Sequence, residues 1–345
     1  MESVPSAAAQ SRQAAGSTLP SKLSLRVAVA DTAAPLIPNA VMWLAGDLGF
    51  YGQQGLDVEL IELSGTPLAA AALVSGQADV ANLDTAAVID MVATGKADLR
   101  AIHSPNIRQY FLIASSADVR TPADLKGKLF GVARLGSADY AQSTVVLRSL
   151  GLDPAGDVQF IGIGDPTTRA RALLAGNVQA TTFSVATWQL IRHEPTVRVL
   201  VDANAFFRAA PIVGKVNAAS IDVIRGRPEE LVRFTKAVIL AARYLAENEQ
   251  AWITAMATRR ADIERTHLAE LWHYYREGWA VNGLMNLALY EETARFLYAS
   301  GALPNAPEIT VDRWTTTRFV DQALVDLGIY PGSDDPGRYI SHTPW

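Results

Sequence analysis

The sequence predicts an α/β protein: two similar lobes, each a mostly parallel sheet flanked by helices, followed by a helical C-terminal part. Three observations carry this. Strand-like apolar alternation and helix-like apolar spacing take turns along the first two hundred residues. The pattern then repeats: Asp57-Val58, Ile61, Ala70, Ala72, Leu73 and Gly76 recur one hundred positions later as Asp157-Val158, Ile161, Ala170, Ala172, Leu173 and Gly176, without a gap. From Arg227 onward the spacing is helical. The alternative for the repeat is chance, since any strand–loop–helix–glycine unit partly matches another.

In order, residues 23–30 alternate as a strand, and Pro35 and Pro38 keep 31–39 out of a helix. Residues 40–49 have helical spacing, ended by Gly49-Phe50-Tyr51-Gly52, and Gly55 turns the chain into a strand over 56–63. Thr66 is placed to cap a helix over 68–75 with Pro67 in its first turn, and Gly76 stops it. A short strand (78–83), a helix (86–94) capped by Asp84 or Thr85, and a strand (99–103) close the first series. The second series gives strands at 129–134, 158–163, 178–183 and 197–202. Its helices fall at 138–150, 167–175 and 185–193. Residues 209–216 read as one more strand or a crossover. Helices follow at 228–247, 249–258, 263–279, 287–300 and 311–327, the first with an acidic opening turn that suits its dipole. Trp272, Tyr275 and Trp279 fall on one face of the predicted 263–279 helix and read as core.

Composition sets bounds. The chain has 345 residues, 49% hydrophobic and 19% charged, with net charge -5, so it is neither fibrous nor disordered in bulk, and a nucleic-acid surface is disfavoured. There is no cysteine, which excludes disulfides, thiolate metal sites and cysteine nucleophiles. No run of about 20 apolar residues is present to span a bilayer as a helix. The Ala/Ser/Gln-rich start lacks an apolar signal region and reads as a flexible tail over 1–23, or as a mature form whose signal lies upstream of Met1.

Catalytic signatures are missing from the linear sequence: no nucleophile elbow, phosphate-binding loop, dinucleotide fingerprint or zinc-protease motif occurs. The five histidines (His103, His193, His267, His273, His342) form no helical i,i+3 or i,i+4 pair. No metal and no cofactor is expected, and no catalytic residue is assigned. What remains is a set of small, polar loops at strand ends that open helices, where ligands of open α/β sheets bind and where helix N-termini favour anions. The candidate ligand residues are Ile37 and Asn39; Ser64 and Thr66; Asn82, Asp84 and Thr85; His103; Arg134; Gly136, Ser137 and Ala138; Ser184 and Trp188; and Arg208. Each has a plainer reading: Ser137 as an ordinary N-cap, His103 as a satisfied structural histidine, Arg134 as a surface residue. Trp188 could wall a pocket, and Phe206 and Phe207 read as core.

Four segments resemble, in the same order, the sulfonate/nitrate/taurine-type solute-binding proteins of ABC importers, a family that also holds thiamine-pyrimidine binding proteins and synthases. They are Gly49-Phe50-Tyr51-Gly52-Gln53-Gln54-Gly55-Leu56-Asp57-Val58, then Ala72-Leu73-Val74-Ser75-Gly76-Gln77-Ala78-Asp79-Val80-Ala81, then Thr121-Pro122-Ala123-Asp124-Leu125-Lys126-Gly127-Lys128, and Leu173-Leu174-Ala175-Gly176-Asn177-Val178-Gln179-Ala180. In the last, Gln179 stands where the family usually has Asp. The resemblance implies the two-lobed periplasmic-binding-protein type II fold. Lobe one would cover 24–110 and 209–327, lobe two 111–208, with a tail over 328–345 and hinges near 109–113 and 206–211. It further implies closure around a small organic ligand, delivery to an ABC permease in the membrane, a monomer, and a periplasmic or other extracytoplasmic location with no signal peptide visible. A sulfonate or carboxylate head at 136–138, with an apolar or aromatic remainder against Ile37 and Trp188, is the expected ligand. The alternative is a cytoplasmic thiamine-pyrimidine-synthase-like enzyme or sensor on the same fold; the synthases' Cys-rich segment has no counterpart here.

Overall fold

A computed structural model describes residues 23–107, 111–135, 137–275 and 278–330. Two five-stranded sheets share one plan. The first uses β1 (Leu23–Val29), β2 (Leu56–Glu62), β3 (Val80–Asp84), β4 (Leu99–His103) and β10 (Lys215–Ser220), in the order β2-β1-β3-β10-β4. The second uses β5 (Phe111–Ser116), β6 (Lys128–Val132), β7 (Val158–Gly162), β8 (Ala180–Ser184) and β9 (Val197–Val201), in the order β7-β6-β8-β5-β9. Each has three parallel strands, β2-β1-β3 or β7-β6-β8, and one strand antiparallel to its neighbours, β10 or β5. The chain passes from the first sheet to the second between His103 and Phe111 and returns between Val201 and Lys215. Both antiparallel strands begin at those crossings.

Around the first sheet lie α1 (Val41–Asp47), α2 (Phe50–Gln53), α3 (Thr66–Val74) and α4 (Thr85–Ala93). Around the second lie α5 (Ala138–Ser149), α6 (Pro166–Leu174), α7 (Val185–Gln189) and α8 (Ala203–Ala209). The rest is helical: α9 (Ile221–Gly226), α10 (Pro228–Glu247), α11 (Glu249–Arg259), α12 (Arg265–Tyr275), α13 (Leu287–Ala299) and α14 (Arg318–Leu327). The 20-residue α10 inserts Leu231, Phe234, Val238, Ala241 and Leu245 into the core beside the buried face of α1. Proline in its first turn followed by Glu229 and Glu230 sets its start.

The hundred-residue repeat has a physical basis. α3 and α6 both end before a left-handed glycine, Gly76 (φ 73°) and Gly176 (φ 74°), a conformation that costs a side chain dearly. Three residues further on, Asp79 Oδ2 accepts the Arg26 N–H of β1 at 2.8 Å, and Gln179 Oε1 accepts the Leu129 N–H of β6 at 3.2 Å. An acceptor is all this role requires. The carboxylate is needed only in the first sheet, where the Arg26 and Arg227 guanidiniums also converge on Asp79. Gln179 instead uses its second polar group to donate to Gly176 O.

Several expected elements are corrected. Phe50–Gln53 continues as a helical turn rather than ending one. Thr66 is the first residue of α3, and Gly65 (φ 90°) is its N-cap. The strand β5 (Phe111–Ser116) and the helix α8 (Ala203–Ala209) have no expected counterpart and lie at the two crossings between the sheets. Ile113, expected in a hinge, lies within β5, and Phe206 lies within α8; residues 109 and 110 of that hinge are outside the described residues. Of the expected helix over 263–279, α12 covers Arg265–Tyr275, residues 276 and 277 lie outside the described residues, and Trp279 is not helical but forms a bridge to Asn106. It is nonetheless core, 2% exposed. The tail expected over 1–23 lies outside the described residues except for Leu23, which begins β1.

Candidate ligand site

The carboxyl ends of β1, β3, β6 and β8 feed the loops that the sequence nominated. Those residues divide into two groups. The first is sealed inside. Asn39, Asn82 and His103 are 0% exposed and Thr85 is 1% exposed. They belong to a chain of side-chain hydrogen bonds: Asn39 Nδ2 donates to Asn82 Oδ1 (3.1 Å), and Asn82 Nδ2 to Asn217 Oδ1 (2.9 Å). Asn217 Nδ2 lies 2.7 Å from His103 Nε2, and His103 Nδ1 lies 3.2 Å from Thr235 Oγ1 of α10. One orientation satisfies every link, with the imidazole proton on Nδ1 and the ring neutral. Burial pulls the His103 pKa down to about 3, in keeping with a neutral ring. Asn39 Oδ1, at the head of the chain, has no hydrogen-bond partner. Thr85 spends its hydroxyl on Val213 O at 2.6 Å, tying α4 to the return crossing. All four therefore hold the loops in place.

The second group stays at the surface. Ser64 is exposed, and so is Asp84, which caps α4 in position but not with its side chain. Thr66 is half-buried; its Oγ1 accepts the Asp84 N–H at 3.4 Å, so these two loops meet. Ile37 and Trp188 are partly buried against the same apolar cluster. Ser184 caps α7, accepting the Thr187 N–H at 3.2 Å. Arg208 lies exposed in the last turn of α8. Arg134 is exposed, and its carbonyl accepts the Ser137 hydroxyl at 2.6 Å. Ser137 sits in the N-cap position of α5 but does not cap it; the hydroxyl turns instead to Arg134 O and to Asp139. The first amides of α5 are thus left without a side-chain cap. Gly136 lies outside the described residues, and Ala138 opens α5.

Sequence reasoning missed the polar framework behind these loops. Asp31, at the end of β1, pairs with Lys215 of β10 at 3.0 Å. Asp139 Oδ2 accepts the Ala133 N–H at 2.9 Å. Arg169, 5% exposed, donates to Gly164 O (2.5 Å) and Thr182 O (3.2 Å), and its Nη2 stands 3.6 Å from Asp139 Oδ2. Ser143 Oγ lies 2.6 Å from Thr182 Oγ1. Gly162 packs closely here too: a Cβ on it would sit 3.3 Å from Arg134 Cα and crowd that backbone. The repeat held the signal for two of these residues. Thr182 matches Asn82, a polar residue on a buried strand, and Arg169 matches Ala69, a buried alanine replaced by a guanidinium.

A groove of about 1030 Å³ lies elsewhere, between α1 and the α10–α11 corner, lined by Asp47, Tyr244, Asn248 and Arg259 among others. Its Arg259 is already paired with Asp47, and its lining residues lie on α1, α10, α11 and the turns beside them rather than at strand ends. Among the described residues no cluster of histidine and acidic side chains could hold a metal ion, and no helix is long and apolar enough to cross a membrane.

Two sheets of one topology, exchanging strands across two crossings, define the type II periplasmic-binding-protein fold. A family model described as NMT1/THI5 like matches residues 39–251, and the chain belongs to that family. Solved structures agree on the fold. The periplasmic sulfonate-binding protein SsuA of Methylobacillus flagellatus KT superposes with a TM-score of 0.71 at 18% identity, over 89% of this chain and 95% of that one. The periplasmic aliphatic sulphonate binding protein SsuA of Escherichia coli gives 0.66 at 20% identity, over 85% and 92%. The periplasmic nitrate-binding protein NrtA of Synechocystis PCC 6803 gives 0.67 at 14%, over 91% and 92%. No curated protein sequence matches the chain.

Proposed function

We propose that this protein is the solute-binding component of an ABC importer. It would capture a small organic anion, a sulfonate or carboxylate, between lobes at 24–110 with 209–327 and at 111–208, and hand it to a membrane permease outside the cytoplasm. The observation that carries this reading is the open first turn of α5: amides with no side-chain cap, next to the exposed Arg134, at the carboxyl edge of the second sheet. An acidic head group seats there, and Ile37 and Trp188 offer apolar surface to the remainder. Hinge closure then presents one shape to the permease, stabilised only by contacts that improve on closing. Capture without chemistry fits a chain with no cysteine, since the enzyme branch that the sequence resembles relies on a Cys-rich segment. The protein acts as a monomer in this reading.

Isothermal titration with ethanesulfonate, benzenesulfonate, benzoate and an aminopyrimidine tests it. Saturable binding of a sulfonate or carboxylate is expected. Binding of the uncharged pyrimidine alone removes the anion seat and favours the thiamine-pyrimidine alternative.

A further inference from the structure

The α5 N-terminus carries a feature that works against an anionic ligand: its own first-turn carboxylate, Asp139. Unbalanced, that charge would repel a sulfonate at the amides beside it. Arg169 is the balance. Its side chain is 6% exposed, its Nη2 faces Asp139 Oδ2 at 3.6 Å, and its Nε has no hydrogen-bond partner. Burying a guanidinium with a donor unspent is costly, and burial pulls its pKa down against the upward pull of Asp139 and Asp165. At the equivalent helix position beside the first sheet stands a neutral residue, the fully buried Ala69.

Resting on the anion-binding reading above, we infer that Arg169 and Asp139 are positioning residues for ligand recognition. Asp139 anchors Ala133 and Ser137 through the Ala133 N–H and the Ser137 hydroxyl, and Arg169 cancels its charge so that the helix terminus keeps a net pull on an anion. Arg169 also ties the 162–166 loop and the end of β8 to the same point through Gly164 O and Thr182 O. Neither side chain need touch the ligand.

The pair makes a sign-dependent prediction. Asp139→Asn keeps these contacts: its Oδ1 can take the Ala133 N–H, and its Nδ2 can donate to Ser137 Oγ, whose single proton, shared between Arg134 O and Asp139 in the parent, then goes to Arg134 O. Full-chain protein is titrated with benzenesulfonate and, as the uncharged control, benzenesulfonamide. Arg169→Met is expected to weaken benzenesulfonate at least tenfold. The double variant Asp139→Asn with Arg169→Met is expected to recover to within threefold of the parent. The sulfonamide should move less than threefold throughout. Equal losses for both probes, or no recovery in the double variant, overturn the proposal and mark the pair as purely structural. If Arg169→Met fails to fold, Asp139→Asn alone decides: benzenesulfonate must tighten at least threefold, and no gain overturns the proposal. A parent protein that binds none of the anions overturns the functional reading and this inference with it. A parent that binds them without the charge response overturns the inference alone.

Discussion

His103 shows how much one side chain can say about pH. Its ring is sealed between Asn217 and Thr235 and packed against Phe234, with its pKa drawn down to about 3 from an ordinary 6.5. Between those values the unfolded chain binds a proton that the folded one refuses. Stability therefore falls as pH drops from 6.5 towards 3, by about 1.4 kcal/mol per pH unit from this group alone, and is unaffected by it above 6.5. His103→Gln, which can still accept and donate, should flatten that acid slope in urea denaturation between pH 6 and 4.5. An unchanged slope would show that the ring is not held neutral.

At the scale of elements, the Asp79 and Gln179 contacts are the same strand-to-strand fastening built with and without charge. Burial pushes the Asp79 carboxyl up, yet the Arg26 hydrogen bonds and the Arg227 charge outweigh this and hold it below the usual carboxylate range. Its stabilising contribution is thus present above about pH 4 and lost as the carboxyl protonates. Asp79→Asn keeps an acceptor for the Arg26 N–H but removes the carboxylate that Arg26 and Arg227 share, leaving Arg227 with Glu230 alone. With Arg26 half-exposed and so screened by solvent, the expected loss is about 1–2 kcal/mol. Gln179→Asp gains no such partner and should not stabilise the second sheet. Chemical denaturation of both variants checks the contrast.

For the whole molecule, the proposed function requires the lobes to move. Small-angle scattering should show a smaller radius of gyration when a bound sulfonate or carboxylate saturates the protein. Ser137→Phe, which places a bulky ring at the α5 N-cap, should abolish both binding and compaction while leaving the circular dichroism spectrum intact. Unchanged affinity would remove that loop from the site. Contact between α12 and the loop after α7, through the Arg192–Glu270 pair, adds a second expectation. Both partners are partly exposed, so Arg192→Ala should shift apparent affinity by no more than about fivefold, the range of a solvent-screened ion pair.

The sequence by itself determined the α/β class, the two-lobed repeat, the long α10 and the loops at the strand ends. These rest on local pattern: period-two and period-3.6 apolar spacing, glycines at left-handed turns, prolines in first turns. It also nominated Ser137 and Arg134, because residues before a helix start are readable as such. Only the tertiary structure decided which nominated residues are surface and which are framework. Asn39, Asn82 and His103 look like loop polar residues one at a time; they become an interior chain only when β3, β10 and α10 bring Asn217 and Thr235 to them from more than a hundred residues away. Arg169 and Asp139 are thirty positions apart and meet only because β6 and β7 pair in parallel and aim their following helices at one point. Periodicity along a chain reports the face a residue occupies. Charge compensation depends on distance in space, and for that the fold had to be known.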